Sequence, residues 1–544
     1  MATRVQGMAE GRSCKHVAML GSNSFWPSVL LIRALVLAAF LRSVKGDGFR
    51  DVTQRFGRQG SKDNSAAAYS LLSCYNAHYN PYPINFEEFL GGKISKSFRL
   101  HRVWWSKKQA KYPLGLFTHL SLNRVDMLEA QCRSYPGGLV VAAVWVPLLR
   151  TPEELAALGA TQGQGHQGHP PQRRTLNLSA THQAALREAT AVLGSLFRHM
   201  EFPDADGVGD GAGAGGFTDD GAGGDGAAGT CALRILLVYE MVGSEQLTVL
   251  MPVNQLRNTA MLAVDTPMAA MVDADLSLSW SLAGAVMADA ARAADLLRRA
   301  KKDRTGWVIP AWDIDKRIEF SERGPVADQM LAVRPESKRE LAEMWHSKHV
   351  ILPFAFDRYK LGHNGTQYDR WFNDIREEYP IAFEEGYEPW FFAYRKHLAL
   401  YDVRFRGHYY DKISNVRNTV RNQVLTLRVM PDVWLVHRPH AVSMQNNLFS
   451  QMTGKVSPMD KPAVVNGSSV NPRDVYLTAA QGFYGTVVDA MNHNRFEPLL
   501  SPPVTHCRQV LPWWKEEDSG GADADADAQG WAGGAAATAV AGGH

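Results

Sequence analysis

Two aspartates, Asp273 and Asp275, stand one residue apart at the end of an apolar run. The run covers residues 268–272, and apolar residues resume beyond the pair at Leu276 and Leu278. Two carboxylates at the edge of a core repel each other and are costly to desolvate, and a divalent cation between them would remove that repulsion. Mg²⁺ and Mn²⁺ prefer such oxygens, and Mg²⁺ commonly bridges carboxylates and substrate phosphates. The pair therefore predicts a metal site for a nucleotide diphosphate.

The Asp-x-Asp spacing alone is weak support for this prediction. The chain repeats the spacing at four other places, 204/206, 313/315, 523/525 and 525/527. Three of the five pairs lie in Gly/Ala-rich sequence, where solvated surface charge is the ordinary explanation. Asp273 and Asp275 are distinguished by the hydrophobic strand directly before them. Context alone leaves a metal site and a surface pair equally open.

The elements before the aspartates alternate between strands and helices. Strands are predicted over 116–121, 139–146 and 233–239 and in the run that ends at Asp273, with helices over 123–135, 186–200 and 252–263 between them. This alternation predicts an α/β fold with a mostly parallel central sheet. Ligands of such sheets bind at the carboxyl ends of strands, where Asp273 and Asp275 are expected.

Composition excludes some classes of protein. Of 544 residues, 45% are hydrophobic and 21% charged, as in a globular protein, and a net charge of +3 gives no electrostatic case for nucleic acid. The five cysteines include no Cys-x-x-Cys pair, so a zinc ribbon is not expected. Cys14 precedes an apolar N-terminal stretch. The other four suffice for two disulfides in an oxidising compartment, with the pairing open.

The apolar stretch, residues 25–41, predicts a signal-anchor or a signal peptide. It is short for a membrane span and contains Pro27 and Arg33, so a buried amphipathic helix is the alternative. The expected organisation is a cytosolic tail with this segment (1–46), a stem and N-terminal extension (47–110), a catalytic domain (111–515) and a disordered tail (516–544). Low-complexity inserts are expected near 161–174 and 204–230.

Six motifs resemble glycosyltransferase family 49, and they occur in the family's order: MPVNQLRNTA, VDADLSLS, HNGTQYDRW, GYEPWFFAYRK, YDVRFRGHYYDK and WLVHRPHAVS. The family includes the C-terminal glucuronyltransferase domain of LARGE-type enzymes and the related beta-1,4-glucuronyltransferase. The similarity covers about residues 114–443. It implies a GT-A-type nucleotide-diphospho-sugar transferase fold, a UDP-sugar donor and Mn²⁺, with Mg²⁺ as the alternative. It also implies a type II Golgi membrane protein with a lumenal catalytic domain. Secretion through a cleaved signal peptide is the alternative, and a homodimer is compatible with the similarity.

The resemblance assigns metal ligands and donor contacts to particular residues. Asp273 and Asp275 match the family's Asp-x-Asp, and His437 matches a histidine that completes the metal site, with His440 as a competitor for that role. The donor contacts are expected on the helix of the first motif and at the end of the first strand; they are Asn254, Arg257, Ser121 and Arg124.

The implied reaction is inverting transfer of a sugar from a UDP-sugar to a glycan on a glycoprotein or polysaccharide. Glucuronate is the expected sugar, with xylose or another hexose as alternatives. A carboxylate would accept the proton of the attacking hydroxyl. Asp411 is slightly favoured over Glu388 as that base, although a salt bridge to Lys412 or Arg406 would explain Asp411 equally well.

The chain departs from the family pattern at residues 407–410, Gly-His-Tyr-Tyr, which leaves the acceptor open. Two rival functions also stay open. One is a catalytically inactive sugar- or nucleotide-binding scaffold of the same fold. The other is a metal-dependent phosphohydrolase or nucleotidyltransferase, which also uses paired acids.

Overall fold

The computed structural model describes residues 64–156, 178–202, 230–373, 376–440 and 457–515. The N-terminal apolar segment, the tail from residue 516 and the two expected inserts, apart from Thr230, lie outside the described residues. Within the described ranges, no helix combines the length and apolar character needed to cross a membrane.

Within the residues that the structure describes, fifteen strands form three sheets. In chain order the strands are β1 (Phe98–Trp105), β2 (Leu114–Ser121), β3 (Leu139–Leu149), β4 (Ala232–Val242), β5 (Met268–Met271), β6 (Leu276–Leu278), β7 (Thr305–Ile309), β8 (Ala311–Ile314), β9 (Ile351–Pro353), β10 (Tyr379–Ile381), β11 (Trp390–Tyr394), β12 (Thr426–Val429), β13 (Leu435–His437), β14 (Ala463–Val465) and β15 (Ser468–Val470). The main sheet has the order β1-β4-β3-β2-β5-β11-β7-β12-β10, and a second sheet has the order β6-β13-β8-β9.

The helices lie between and after these strands. They are α1 (Asn64–Asn76), α2 (Phe86–Leu90), α3 (Val125–Ser134), α4 (Ala180–Glu201), α5 (Val253–Leu262), α6 (Ala290–Lys302), α7 (Phe320–Ala332), α8 (Arg339–His346), α9 (Leu361–Asn364), α10 (Tyr368–Phe372), α11 (Asp411–Arg417), α12 (Pro472–Asn492), α13 (Pro502–Val510) and α14 (Pro512–Lys515).

A parallel block, β4-β3-β2-β5, occupies the middle of the main sheet. Strands β3 and β4 are apolar runs that are buried on both faces, as expected for strands covered by helices on either side. The chain passes from β2 to β3 to β4 in one direction and then places β5 on the other side of β2. The strand order therefore reverses between β2 and β5, and their carboxyl ends border the crevice where such sheets bind ligands.

The expected α/β class with a parallel centre is confirmed, although the whole sheet is mixed. Four neighbouring strand pairs are parallel and four are antiparallel. Two of the antiparallel pairs arise because β11 enters between β5 and β7. Sequence alternation predicts parallel units joined by helices, but it does not reveal a strand inserted from more than 100 residues further along the chain.

The expected stem and N-terminal extension, residues 47–110, is described from residue 64 onward. This part includes a strand of the main sheet, because β1 pairs antiparallel with β4. Helix α1 is joined to α13 by the Cys74–Cys507 disulfide. A second disulfide joins Cys132 on α3 to Cys231, next to β4. The sequence left the pairing of these four cysteines open, because each disulfide joins residues that are far apart in the chain.

The second sheet brings distant parts of the chain to the carboxyl end of β5. Strand β13 pairs antiparallel with β6, so that His437 lies opposite Leu276, the residue after Asp275. On its other side β13 pairs parallel with β8, which carries Asp313. Two short strand pairings thus place the end of β13 beside the predicted Asp-x-Asp pair.

Candidate metal and donor site

The two aspartates lie in the turn that connects β5 with β6. The backbone N–H of Leu276 donates to the carbonyl of Asp273 at 3.0 Å. The buried amide of Gln131 donates to the carbonyls of Asp273 at 2.9 Å and Leu276 at 3.1 Å. These bonds fix the turn, which follows β5 at the point where the strand order reverses. Asp273 and Asp275 therefore follow the carboxyl end of β5, as predicted, and their role in binding a ligand stays a prediction.

Asp275, His437 and His440 converge on one small volume, where one ligand atom from each lies within 4.8 Å of the other two. Oδ2 of Asp275 lies 3.3 Å from Nε2 of His440 and 3.6 Å from Nε2 of His437. The two imidazole nitrogens are 3.2 Å apart. One carboxylate and two imidazoles form a donor set suited to a first-row divalent ion such as Mn²⁺. The residues therefore fit the metal that the resemblance implied. His440, the alternative to His437 in the sequence, lies beside His437 in the same group.

Asp313 holds the imidazole of His437 from the side away from Asp275. Nδ1 of His437 lies 2.7 Å from Oδ1 of Asp313, and Asp313 also accepts from Arg358 at 3.1 Å. Burial would lower the pKa of His437, but the carboxylates of Asp275 and Asp313 together raise it to about 9. The sequence did not single out Asp313. The sequence feature that could have revealed Asp313 was its membership of one of the Asp-x-Asp pairs, at the end of a strand.

The carboxylate of Asp273 has other partners in this structure. Its Oδ2 accepts from Nζ of Lys412 at 2.9 Å and from the indole N–H of Trp390 at 3.1 Å, while Oδ1 lies 3.5 Å from Arg257. Burial would raise the pKa of Asp273, but the charges of Lys412 and Arg257 hold it well below its usual range. Asp273 is outside the group of three ligand atoms, so its role as a metal ligand stays a prediction.

Lys412 was missed as a site residue in the sequence. Its ammonium lies 4.0 Å from the ring centre of Trp390 and also contacts Asp273. Only 8% of the residue is exposed. It follows Asp411 directly, so the chain offers a carboxylate and an ammonium to the same site from neighbouring positions. A basic residue beside a proposed base is common at protein surfaces, and burial is what distinguishes this one.

Asn254 and Arg257, predicted to contact the donor, lie one turn apart on α5 and interact with each other. Arg257 donates from Nη1 to the side chain of Asn254 at 3.0 Å and to Oδ2 of Asp411 at 2.6 Å. The amide of Asn254, which is fully buried, donates to the carbonyl of Asp402 at 2.8 Å. The pair thus connects α5 to the segment that leads to Asp411. Direct contact with a donor stays a prediction for both residues.

Ser121 and Arg124 lie at the carboxyl end of β2, which neighbours β5. Arg124 donates to Oδ2 of Asp275 at 2.8 Å. Ser121 is the last residue of β2, and its hydroxyl donates to the side chain of Asn123. These two predicted donor contacts therefore lie at the same edge of the sheet as the metal-site group, with Arg124 in direct contact with it.

The two carboxylates proposed as base differ in environment. Burial would raise the pKa of Asp411, but the charges of Arg257 and Lys412 together lower it. Glu388 is half-buried, and burial together with the charges of Asp411 and Asp273 raises its pKa to about 7, against the opposing effect of Lys412. A base works best when its pKa is near the operating pH, so this contrast favours Glu388.

Lys412 and Arg406, which were considered as salt-bridge partners of Asp411, pair with other carboxylates. Lys412 contacts Asp273, and Arg406 donates to both carboxylate oxygens of Glu240 at 2.6 and 2.9 Å. Asp411 has an ion pair of its own, with Arg257. That ion pair favours the ionised carboxylate of Asp411 and so opposes its protonation.

Comparison with known proteins agrees with the class that the fold and this group of residues define. Residues 231–451 match the family described as glycosyl-transferase for dystroglycan. This match contains Asp273, Asp275, His437 and His440, as well as both candidate bases. Residues 231–451 therefore match a glycosyltransferase family, which confirms the resemblance seen in the sequence and the prediction of a glycosyltransferase.

Individual relatives match a similar part of the chain. Xylosyl- and glucuronyltransferase LARGE2 of Mus musculus is 27% identical over 201 residues, which are 37% of this chain and 26% of that protein. Its namesake in Homo sapiens is 28% identical over 200 residues, 37% of this chain and 25% of that protein. Xylosyl- and glucuronyltransferase LARGE1 of Gallus gallus is 27% identical over 199 residues, 36% of this chain and 23% of that protein. The matched part of the chain thus spans about a quarter of the length of these relatives.

Proposed function

We propose that this protein is a metal-dependent, inverting glycosyltransferase that moves a sugar from a UDP-sugar to a glycan acceptor. The observation that carries the proposal is the convergence of Asp275, His437 and His440 at the point where the strand order reverses. The names of the relatives favour glucuronate or xylose as the transferred sugar. Another hexose is the alternative.

Asp275, His437 and His440 would hold Mn²⁺, or Mg²⁺ as the alternative. When bound, such an ion supplies positive charge for the leaving diphosphate. Lys412 and Arg257 add fixed positive charge on the side of Asp273. Asp313 keeps Nε2 of His437 directed toward Asp275 by occupying Nδ1. The diphosphate therefore meets several cationic groups at one edge of the sheet.

Glu388 is the proposed base. As the acceptor hydroxyl attacks the anomeric carbon, its proton passes to the carboxylate of Glu388, and the bond to the diphosphate breaks on the opposite side of the sugar. A pKa of about 7 lets Glu388 be ionised in a large fraction of molecules near neutral pH and still accept a proton readily. Asp411 would instead orient Arg257.

We also propose that the catalytic part works in the lumen of the secretory pathway, attached through the segment at 25–41 as a type II Golgi protein. The two disulfides support an oxidising compartment. Two sequons, at Asn364 and Asn466, have exposed asparagines, as glycosylation requires. In the proposed domain organisation, residues 64–110 pack with the catalytic domain, because β1 belongs to its main sheet.

The test uses the full chain with UDP-glucuronate, UDP-xylose, UDP-glucose and UDP-galactose, with Mn²⁺ or with EDTA. Release of UDP from at least one donor, lost with EDTA and in Asp275→Asn, is the expected result. Asp295→Asn, at an exposed position of α6, is the matched control and should keep full activity.

Two other outcomes would contradict the proposal and support its rivals. Calorimetric binding of UDP with Mn²⁺ but no turnover of any donor would support the inactive scaffold. Cleavage of the donor's diphosphate by water, which gives UMP and a sugar 1-phosphate without UDP, would support a phosphohydrolase. Each readout is separate, so the three functions are distinguished in one set of measurements.

A further inference from the structure

Two tyrosine rings stack beside the proposed catalytic centre. The rings of Tyr410 and Tyr484 have centroids 4.5 Å apart and planes 15° apart. Both side chains are half-buried, and the neighbouring Tyr409 is 41% exposed. Tyr410 directly precedes α11, whereas Tyr484 is on α12. The stack therefore joins the segment directly before Asp411 to a helix from the C-terminal part of the chain.

The backbone at this stack is strained. Tyr409 has a φ of 76° and Tyr410 a φ of 61°, both in the left-handed region that residues with side chains rarely adopt. The preceding segment is held by two bonds. The N–H of Gly407 donates to Met251 at 2.7 Å, and the hydroxyl of Tyr476 donates to the carbonyl of Arg406 at 2.7 Å. Strain of this kind persists where the surroundings enforce it, and it clusters at ligand sites.

The stack adjoins the segment that carries one of the candidate carboxylates. Tyr410 is followed directly by Asp411, which reaches the site through its ion pair with Arg257. The ring of Tyr409 continues the stack, with its centroid 6.4 Å from that of Tyr410. Another tyrosine, Tyr359, lies beside the second carboxylate, since its side chain and that of Glu388 both border Gly362.

We infer that Tyr409, Tyr410 and Tyr484, which we call the tyrosine platform, bind a pyranose ring of the acceptor glycan. The inference rests on the proposed function, since it assigns the acceptor side of the same site. A pyranose ring has an apolar face of C–H groups and a rim of hydroxyls. A half-buried tyrosine offers the complementary surface, an apolar ring face with a hydroxyl at its end.

Helix α12 gives the inference a specific consequence. Tyr484 lies outside residues 231–451, the part of the chain that matches the glycosyltransferase family. The metal-site residues all lie inside that match. The platform would therefore combine residues inside that match, such as Tyr410, with a residue outside it, and the acceptor would be selected by both.

The test is saturation-transfer NMR of the full chain with UDP and Mn²⁺ and the methyl β-pyranosides of xylose, glucose, galactose and glucuronic acid. At least one pyranoside should receive saturation at its ring protons. Its dissociation constant should rise at least about tenfold in Tyr484→Ala and stay within about twofold in Tyr484→Phe, which keeps the ring face. Tyr69→Ala, which removes an exposed tyrosine of α1, is the matched control and should not change it.

Tyr409→Ala gives a second variant if the stack is needed for folding, because this tyrosine is exposed. It should also weaken pyranoside binding. The inference is overturned if none of the four pyranosides binds the wild-type protein, or if neither alanine variant weakens binding. Donor turnover by the wild-type protein is scored separately, so absence of Mn²⁺-dependent UDP release would count against the proposed function, whereas unchanged pyranoside affinity counts against the platform alone.

Discussion

Nδ1 of His437 lies 2.7 Å from Oδ1 of Asp313, on the side of the imidazole opposite Asp275. The two residues are 124 positions apart, and the parallel pairing of β8 with β13 brings them together. Asp313 is 6% exposed and accepts further bonds from Arg358 and from the N–H of Ala355. A carboxylate fixed in this way orients a metal-binding histidine and sets which ring nitrogen is free.

Replacing Asp313 by Asn should weaken Mn²⁺ binding by about 10–100-fold, because the neutral amide no longer orients and polarises His437. Binding is measured by Mn²⁺ titration followed by electron paramagnetic resonance. Asp315→Asn is the matched control, since Asp315 pairs with Arg317 near the surface and should leave the affinity unchanged. Equal affinities in the two variants would contradict the positioning role.

Asp273 and Asp275 should behave differently when each is replaced by Asn. Asp275→Asn removes a ligand from the group of three, so Mn²⁺ binding should be lost. Asp273→Asn frees Lys412 and Arg257 from their shared carboxylate and should abolish turnover. Mn²⁺ titration of both variants decides whether Asp273 is also a ligand. Loss of binding in both would assign Asp273 to the metal, and retention in Asp275→Asn would contradict the proposed metal site.

Much of the parallel centre could be predicted from local sequence. Strands β3 and β4 are largely apolar, and the neighbouring helices repeat apolar residues at the helical period. The alternation of strands and helices was therefore enough to predict the parallel centre. The aspartates after β5 could be placed at the ligand edge for the same reason. These features depend on neighbours in the chain, which is why sequence patterns reveal them.

The rest of the site depends on contacts between distant residues. Asp313 becomes relevant only through the pairing of β8 with β13, and Lys412 only through its contact with Asp273. The choice of base also changed for this reason. Sequence position slightly favoured Asp411, but burial and neighbouring charges set the two pKa values in opposite directions. No local pattern encodes those charges.

The pH dependence of kcat/KM should show a rising limb with an apparent pKa of about 7, from Glu388. The burial that raises this pKa favours the protonated carboxyl, so activity falls as pH decreases below 7 and levels off above it. Glu388→Gln should remove the limb and lower kcat by about 10²–10⁴-fold. Persistence of the same limb in Glu388→Gln would transfer the role to another group, with Asp411→Asn the next variant to compare.

A buried ion pair connects the segment that carries Asp411 to the main sheet, and its loss should destabilise the whole unit. Arg406 donates to both carboxylate oxygens of Glu240 on β4, and the two side chains are 3% and 0% exposed. The indole of Trp145 donates to the same carboxylate at 3.3 Å. Glu240→Met leaves the Arg406 charge buried without its partner, which should lower the free energy of unfolding by about 3–5 kcal/mol.

The double variant Glu240→Met/Arg406→Met separates the ion pair from the packing around it. Because no unpaired charge remains, it should recover much of the stability lost in Glu240→Met, as measured by denaturant unfolding under non-reducing conditions. Activity should not recover in parallel, since Nε of Arg406 also donates to the carbonyl of Leu250 at 3.0 Å and helps fix the backbone before Tyr409. A double variant as unstable as Glu240→Met would show that packing, rather than the buried charge, accounts for the loss.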